Sequence, residues 1–266
     1  KIKNVDNFPI ILWFIPEMES LFNGSPSYRR NFFDRIVFSF DTHFLDLMNS
    51  YLKLIKERSF ILQNSHQDKS WLNEIEHNIA KKGIEITNKR IKTLEIINET
   101  FKKISSENKQ IHECKISLVG KIEDNIINNS YEDSLNKYIN ILDELRKEDS
   151  FRGGCGIGPH KSDFDTVYLK NNVKASFSST GQQKEIILSI ILCQSYCLMN
   201  IYKKTPIILL DEICSHLDDN TRGIILNLIK WLKTQVLITG TDKSHFSFLS
   251  KNVRFFDVKN GKINPI

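Results

Sequence analysis

Apolar residues fall along this chain in three rhythms, and each predicts a different kind of element. Between residues 42 and 64 they recur at helical spacing, at Phe44, Met48, Tyr51 and Ile55. Trp71, Ile75 and Ile79 continue that period in a second helix. After Gly83 it resumes through Leu94, Ile97, Phe101 and Ile104, and Leu135, Tyr138, Leu142 and Leu145 mark a third helix. Long amphipathic helices of this kind pack most simply on one another as an antiparallel pair. The second rhythm is short and continuous. Residues 8–15, with Pro9 near the start and Pro16 just after the end, read as a strand. So do residues 114–118, Ile207–Leu210 and residues 235–239. Residues 165–169 and 173–177 flank Asn171-Asn172 as a hairpin, and residues 253–258 and 262–263 flank Asn260-Gly261 as another. The third rhythm is a run of about 20 residues after Gly181 that is apolar nearly all round, as in a buried helix. Residues 220–233 form a further helix, so strand and helix alternate through this half and its class is α/β.

Candidate chemistry gathers on Phe177–Glu212. Ser178, Ser179, Thr180 and Gly181 stand at the start of the buried helix, where free N–H groups and the helix dipole suit a phosphate. An ordinary helix cap is the plainer reading of the same residues. Pro206 closes the connection, and Ile207–Leu210 is aliphatic throughout, as in a central parallel strand. Asp211 and Glu212 follow at its carboxyl end, where α/β sheets bind ligands. Mg²⁺ prefers hard oxygen ligands and retains several waters, which suits Asp211. Glu212 is then the candidate base for an attacking water. The alternative is that both acids merely cap the sheet, but buried acids without partners are costly.

Three stretches carry a resemblance. Residues 178–182 look like the signature loop of ABC-type ATPases, residues 207–212 like their Walker B strand, and residues 214–218 (CSHLD) like the D-loop that follows. The STGQQK form of the signature resembles that of the RecF family. A second region, PEMESLFNGSPSYRRNFFD, resembles the same family far from the first, and GPHKSDF resembles its GPHRDD stretch with Ser162 in place of an acid. The resemblance implies an α/β, P-loop NTPase-like ABC ATPase head with an inserted α-helical arm. Residues 1–25 and 151–266 would belong to the head and residues 26–150 to the arm. It implies ATP and Mg²⁺ as cofactors, with Asp211 on the metal and Glu212 catalytic. Ser179, Gly181 and Gln182 would meet the nucleotide of a second subunit, and Asp218 would sit at the dimer seam. It also implies ATP-driven homodimerisation, DNA as a partner, including double-stranded DNA and single/double-strand junctions, and work with RecO and RecR to load RecA in recombinational repair.

Two features depart from the family pattern. Many ABC ATPases place a histidine after the strand equivalent to residues 235–239, where this chain has Thr239 and Gly240, with His245 a few residues on. No GxxxxGK[ST] phosphate loop occurs in the sequence. The first residue is Lys1, and the expectation is that the natural protein extends upstream. These 266 residues alone should then turn over no ATP.

Composition changes this picture little. The chain is 40% hydrophobic and 26% charged with a net charge of +5, which permits an anionic partner without requiring one. Five cysteines without a CxxC pair suit a cytosolic protein. Polar residues interrupt the longest apolar run before it reaches the length of a membrane span. Lys53, Lys56, Arg58, Lys81, Lys82, Lys89, Arg90, Lys92, Lys102 and Lys103 lie on the helices' other faces. They form either a solvated surface or a phosphate-gripping stripe. The glycines of GGCGIGPHKSDF form either a turn back toward the head or a site at which His160 and Lys161 touch nucleotide or DNA. Rival functions are another SMC-like or RecN-like head, which would carry a longer coiled coil, and a non-hydrolysing DNA-binding scaffold.

Overall fold

A computed structural model describes residues 9–64, 69–109, 111–215, 217–231, 233–246 and 253–265. Strands β1 (Ile11–Phe14), β5 (Ile207–Leu210) and β6 (Gln235–Ile238) form a parallel sheet in the order β1-β5-β6, so the aliphatic run ending at Asp211 is its centre. Leu12, Phe14, Ile208 and Leu210 are buried on one face of this sheet, in a core they share with α7 (Thr180–Asn200). Ile11, Trp13 and Leu237 are exposed. Helix α7 is buried nearly all round, which is why its apolar residues show no one-sided period. Helix α8 (Asp219–Trp231) packs on α7 through Ile225, Leu226, Leu228 and Ile229.

A second sheet, antiparallel, joins β2 (Cys114–Val119), β3 (Asp163–Tyr168) and β4 (Val173–Lys174). Asn172 turns the β3–β4 hairpin at a φ of 54°, a left-handed geometry that asparagine tolerates. Strands β7 (Phe256–Lys259) and β8 (Lys262–Pro265) pair around Asn260 and Gly261, both at positive φ, as the Asn-Gly pair predicts. Phe8, at the start of the first expected strand, lies outside the described residues.

The helices are α1 (Pro26–Phe40), α2 (Phe44–Gln63), α3 (Lys69–Glu107), α4 (Lys121–Asn128), α5 (Tyr131–Glu144) and α6 (Arg146–Arg152). The apolar period before and after Gly83 belongs to one helix: α3 runs unbroken for 39 residues, about 58 Å at 1.5 Å per residue. Gly83 is there for packing. A Cβ at this position would lie 2.7 Å from the ring of Tyr138, so α5 closes on α3 only over a glycine. Two hydrophobic clusters result. One joins the parallel sheet, α7, α8 and β2–β3 with Phe32, Phe33 and Ile36 of α1 and Leu94, Ile97, Phe101 and Ile104 of α3. The other joins α2, α4 and α5 with the first half of α3. Helices α1 and α3 thus run through both.

The supposed basic stripe is not continuous. Arg58 is fully buried, donating to Glu76 (2.8 Å), Asp149 (2.6 Å) and the Leu142 carbonyl (2.7 Å). Arg90 is also buried, on Asp34 and the Pro159 carbonyl, and Lys89 pairs with Asp41. A helical period cannot distinguish a cation that faces water from one that crosslinks helices. Lys53, Lys56, Lys81, Lys92, Lys102 and Lys103 remain exposed, with Lys82 half-buried.

The two arginines of the SYRRN stretch clamp the return segment. Arg29 grips both oxygens of Asp163 at 2.8 Å and donates to the Gly24 carbonyl, while Arg30 donates to the Ser162 carbonyl at 2.6 Å. Two of the stretches that resemble the RecF family, PEMESLFNGSPSYRRNFFD and GPHKSDF, therefore meet in space. His160 is half-buried between the Tyr51 hydroxyl (2.8 Å) and the Cys155 carbonyl (3.0 Å), and burial lowers its pKa to about 4. It acts as a structural post inside the turn.

Candidate functional site at the end of the parallel sheet

The carboxyl end of β5 turns sharply. Asp211 still donates its N–H to the Phe14 carbonyl (2.9 Å) and so finishes the strand. Glu212 then adopts a φ of 50°, left-handed geometry that costs a side-chain-bearing residue of order 1–3 kcal/mol. The surrounding contacts hold it there. Its N–H donates to Thr239 Oγ1 (3.1 Å), its carbonyl accepts from Ser215 N–H (3.1 Å), and its carboxylate accepts from Ser215 Oγ. Thr239 Oγ1 also donates to Asp211 Oδ1. One hydroxyl at the end of β6 thus orients both acids.

Asp211 is exposed and Glu212 half-buried. Asp211 Oδ2 has no hydrogen bond among the described residues. Among those residues no group of three or more His, Cys, Asp or Glu side chains could cage a metal. A lone strand-end carboxylate fits an ion that keeps most of its waters and binds a phosphate group, as Mg²⁺ does.

At the start of α7, Ser179 is the N-cap in an extended conformation. Its Oγ accepts from Gln182 N–H (3.3 Å), and Gln182 Oε1 accepts from Ser179 N–H (3.0 Å), a reciprocal capping box. Ser179 and Thr180 are exposed. Gly181 has an ordinary negative φ, and a Cβ there would meet Leu217 and Thr221 side chains at an unstrained 3.7 Å. Nothing within the chain requires glycine at this position, whereas an Ala would favour the helix by roughly 1 kcal/mol. That neighbourhood places the start of α7 beside Leu217 and the first turn of α8. Asp218 is exposed at the head of α8, accepting from Thr221 N–H (2.9 Å) and Oγ1 (2.8 Å), and the Thr221 N–H lowers its pKa.

The acids and the signature start are joined through Lys184, which the sequence pattern did not single out. Fully buried in α7, its Nζ donates to the Ser215 carbonyl (2.7 Å) and pairs with Glu19 (2.9 Å) in the turn Pro16–Ser20 that follows β1. Thr239 and Ser215 were also missed as site residues; both are short hydroxyls whose role depends on where the backbone brings them. Gln183 donates to the nearby Ser178 carbonyl and accepts from Asn23, far off in sequence. His245 lies in the short turn Lys243–Phe246, its N–H on the Asp242 carbonyl, and has no bond to either acid. Gly240 is fixed by Phe246, whose ring would lie 2.6 Å from an added Cβ.

No protein-family model matches the chain. The DNA replication and repair protein RecF of Rickettsia typhi is 37% identical over 244 residues, covering 91% of this chain and 67% of that protein. The Rickettsia prowazekii RecF is 38% identical over the same share of each. A solved structure of the recombination mediator protein RecF-ATPrS in the RecFOR pathway superposes with a TM-score of 0.79 at 22% identity, over 97% of this chain and 68% of that one. The corresponding RecF-ATP structure also gives 0.79. At that identity the structural likeness shows the fold. The chain spans about two thirds of the length of the relatives it matches.

Proposed function

The chain belongs to the RecF family of DNA replication and repair proteins, and from that premise we propose that the protein carrying it is an ATP-driven, DNA-binding dimer. The observation that carries the ATPase part is the pair Asp211 and Glu212 at the end of the central strand, with Glu212 held at positive φ and its carboxylate fixed by Ser215. Asp211 would hold Mg²⁺ through water. The ion would supply charge neutralisation at the phosphate oxygens. Glu212 would orient the attacking water and take its proton. No GxxxxGK[ST] phosphate loop, which such a site needs, occurs in these 266 residues.

The dimer part rests on Gly181. A glycine that its own chain does not require, at an exposed helix start, suits close approach of something from outside. On this reading Ser179 gives its hydroxyl, and Gly181 its backbone N–H, to the γ-phosphate of ATP held by the partner. Gln182 keeps the loop in shape through the capping box, and Asp218 lies at the seam. DNA would be held through its phosphates, with little dependence on sequence. The exposed lysines of the helical unit are candidate contacts, and RecO, RecR and RecA are the expected co-workers.

The test uses the full-length protein. Ser179→Arg should leave nucleotide capture by each monomer intact and abolish ATP-driven dimerisation, with hydrolysis falling alongside. Glu212→Gln should preserve dimerisation and trap it. Sedimentation of both variants with and without ATP separates the outcomes. Undiminished dimerisation of Ser179→Arg would reduce residues 178–182 to a helix cap.

A further inference from the structure

We propose that Lys184 is a positioning residue that couples the start of α7 to Glu212 within the same subunit. The inference rests on the ATPase reading above and deepens it. A lysine with no exposed side-chain surface is unusual, because burying an ammonium group costs several kcal/mol unless its partners compensate. Beyond the buried Gln183 and Glu185 that flank it, α7 is apolar from Ile186 to Leu192 with only Ser189 interrupting, so a Met at 184 would suit the packing. The cation instead joins three segments that are remote in sequence: the turn after β1 through Glu19, α7 itself, and the segment after β5 through the Ser215 carbonyl.

Ser215 is the residue whose hydroxyl holds the Glu212 carboxylate and whose N–H holds the Glu212 carbonyl. A continuous polar path therefore runs Glu19, Lys184, Ser215, Glu212. Lys184 is five residues from the cap Ser179, a rise of about 7 Å along one rigid helix. A shift of α7 at its exposed start reaches Ser215 through a single side chain. In a dimer whose signature loop meets the partner's nucleotide, that path would let the partner's ATP set the aim of this subunit's base. Lys184 is thereby distinguished from a simple staple: its removal should affect the chemical step rather than nucleotide capture.

The experiment measures steady-state hydrolysis and ATP-driven sedimentation of the full-length protein in Lys184→Met, Ser215→Ala, the double variant, and Glu19→Gln. Lys184→Met should lower kcat about tenfold while KM stays within about threefold, since only transition-state positioning is lost. Dimerisation with ATP should persist. Ser215→Ala should act alike, and the double variant should be no worse than the poorer single one, because both break one path. Glu19→Gln keeps the lysine and should show a weaker fall, which guards against a folding defect in Lys184→Met; thermal melting checks that directly. An unchanged kcat in a folded Lys184→Met, or multiplicative effects in the double variant, overturns the coupling while leaving the ATPase reading intact. If Glu212→Gln hydrolyses ATP like the unmodified protein, the ATPase reading fails, and the coupling falls with it because no base remains to be aimed.

Discussion

The two hydrophobic clusters use buried charge in opposite ways. In the helical unit, Arg58 is sealed among Glu76, Asp149 and the Leu142 carbonyl, with Arg146 closing on Glu76 from outside. The work of that network is to fix how α2, α3, α5 and α6 meet. In the α/β unit the charged groups line one edge. Asp211 is exposed, Glu212 half-buried, and Lys184, a sealed cation, donates to the segment that holds Glu212. The buried Arg58 of the helical unit has its partners within the chain. The sheet edge carries strain at Glu212, an unused oxygen on Asp211 and a glycine without an internal cause, the three features on which the proposed ligand site rests.

That contrast predicts large stability effects in one unit and mainly functional effects in the other. The largest should come from Arg58→Met. It strands Asp149 and part of Glu76 in the interior, and breaking a buried ion pair from one side costs about 3–5 kcal/mol. Urea unfolding should show the midpoint falling, whereas a change under about 1 kcal/mol would mean that Arg146 suffices for Glu76 and that the network is redundant.

His160 should give a pH-dependent effect of up to about 3 kcal/mol, from a pKa lowered by burial from 6.5 to about 4 at 1.36 kcal/mol per unit. The unfolded chain binds the proton more readily, so stability is full above pH 6.5 and drains away as pH falls toward 4. Comparing urea midpoints at pH 7.5 and 5 for the protein and for His160→Asn should show a smaller loss in the variant. Equal losses would place the pH sensitivity elsewhere.

Gly83→Ala is next, at about 1–3 kcal/mol, the usual cost of overpacking. The added methyl meets the Tyr138 ring at 2.7 Å, although the substitution favours a helix. A melting temperature at or above that of the parent would show that α5 yields freely.

The smallest stability change should come at Gly181→Ala, within about 1 kcal/mol and in the stabilising direction. ATP-driven dimerisation should nevertheless weaken. A fully active, more stable variant would remove the external reason for the glycine and make the two units more alike than they look.

Much of this was legible from residue order alone. The buried helix, the central strand, the Asn172 and Asn260 turns and the choice of Ser179, Asp211 and Glu212 rest on local signals, and the structure places those segments where local rules put them, whereas Asp218 was singled out by the family resemblance alone. What escaped was non-local. Gly83 looks like a helix breaker until Tyr138, 55 residues further on, is laid against it. Arg58 and Arg90 share a helical period with exposed lysines and differ only in what faces them. Thr239 and Ser215 became site residues because β6 lies beside β5 and the chain turns back after Glu212. Lys184 was in view within the signature string, but a single cation in an apolar run carries no sign of its partner.

The unbroken length of α3 has a consequence for how the molecule could come apart. Its first half is walled into one cluster and its second half into the other, with Arg90 near the changeover tied to Asp34 of α1 and the Pro159 carbonyl. A helix is a cooperative object, and one that spans two cores makes each the guarantor of the other's ordered backbone. Melting should therefore be a single event in calorimetry. A fragment carrying the helical unit alone would present Leu94, Ile97, Phe101 and Ile104 as a sticky stripe to its neighbours in solution.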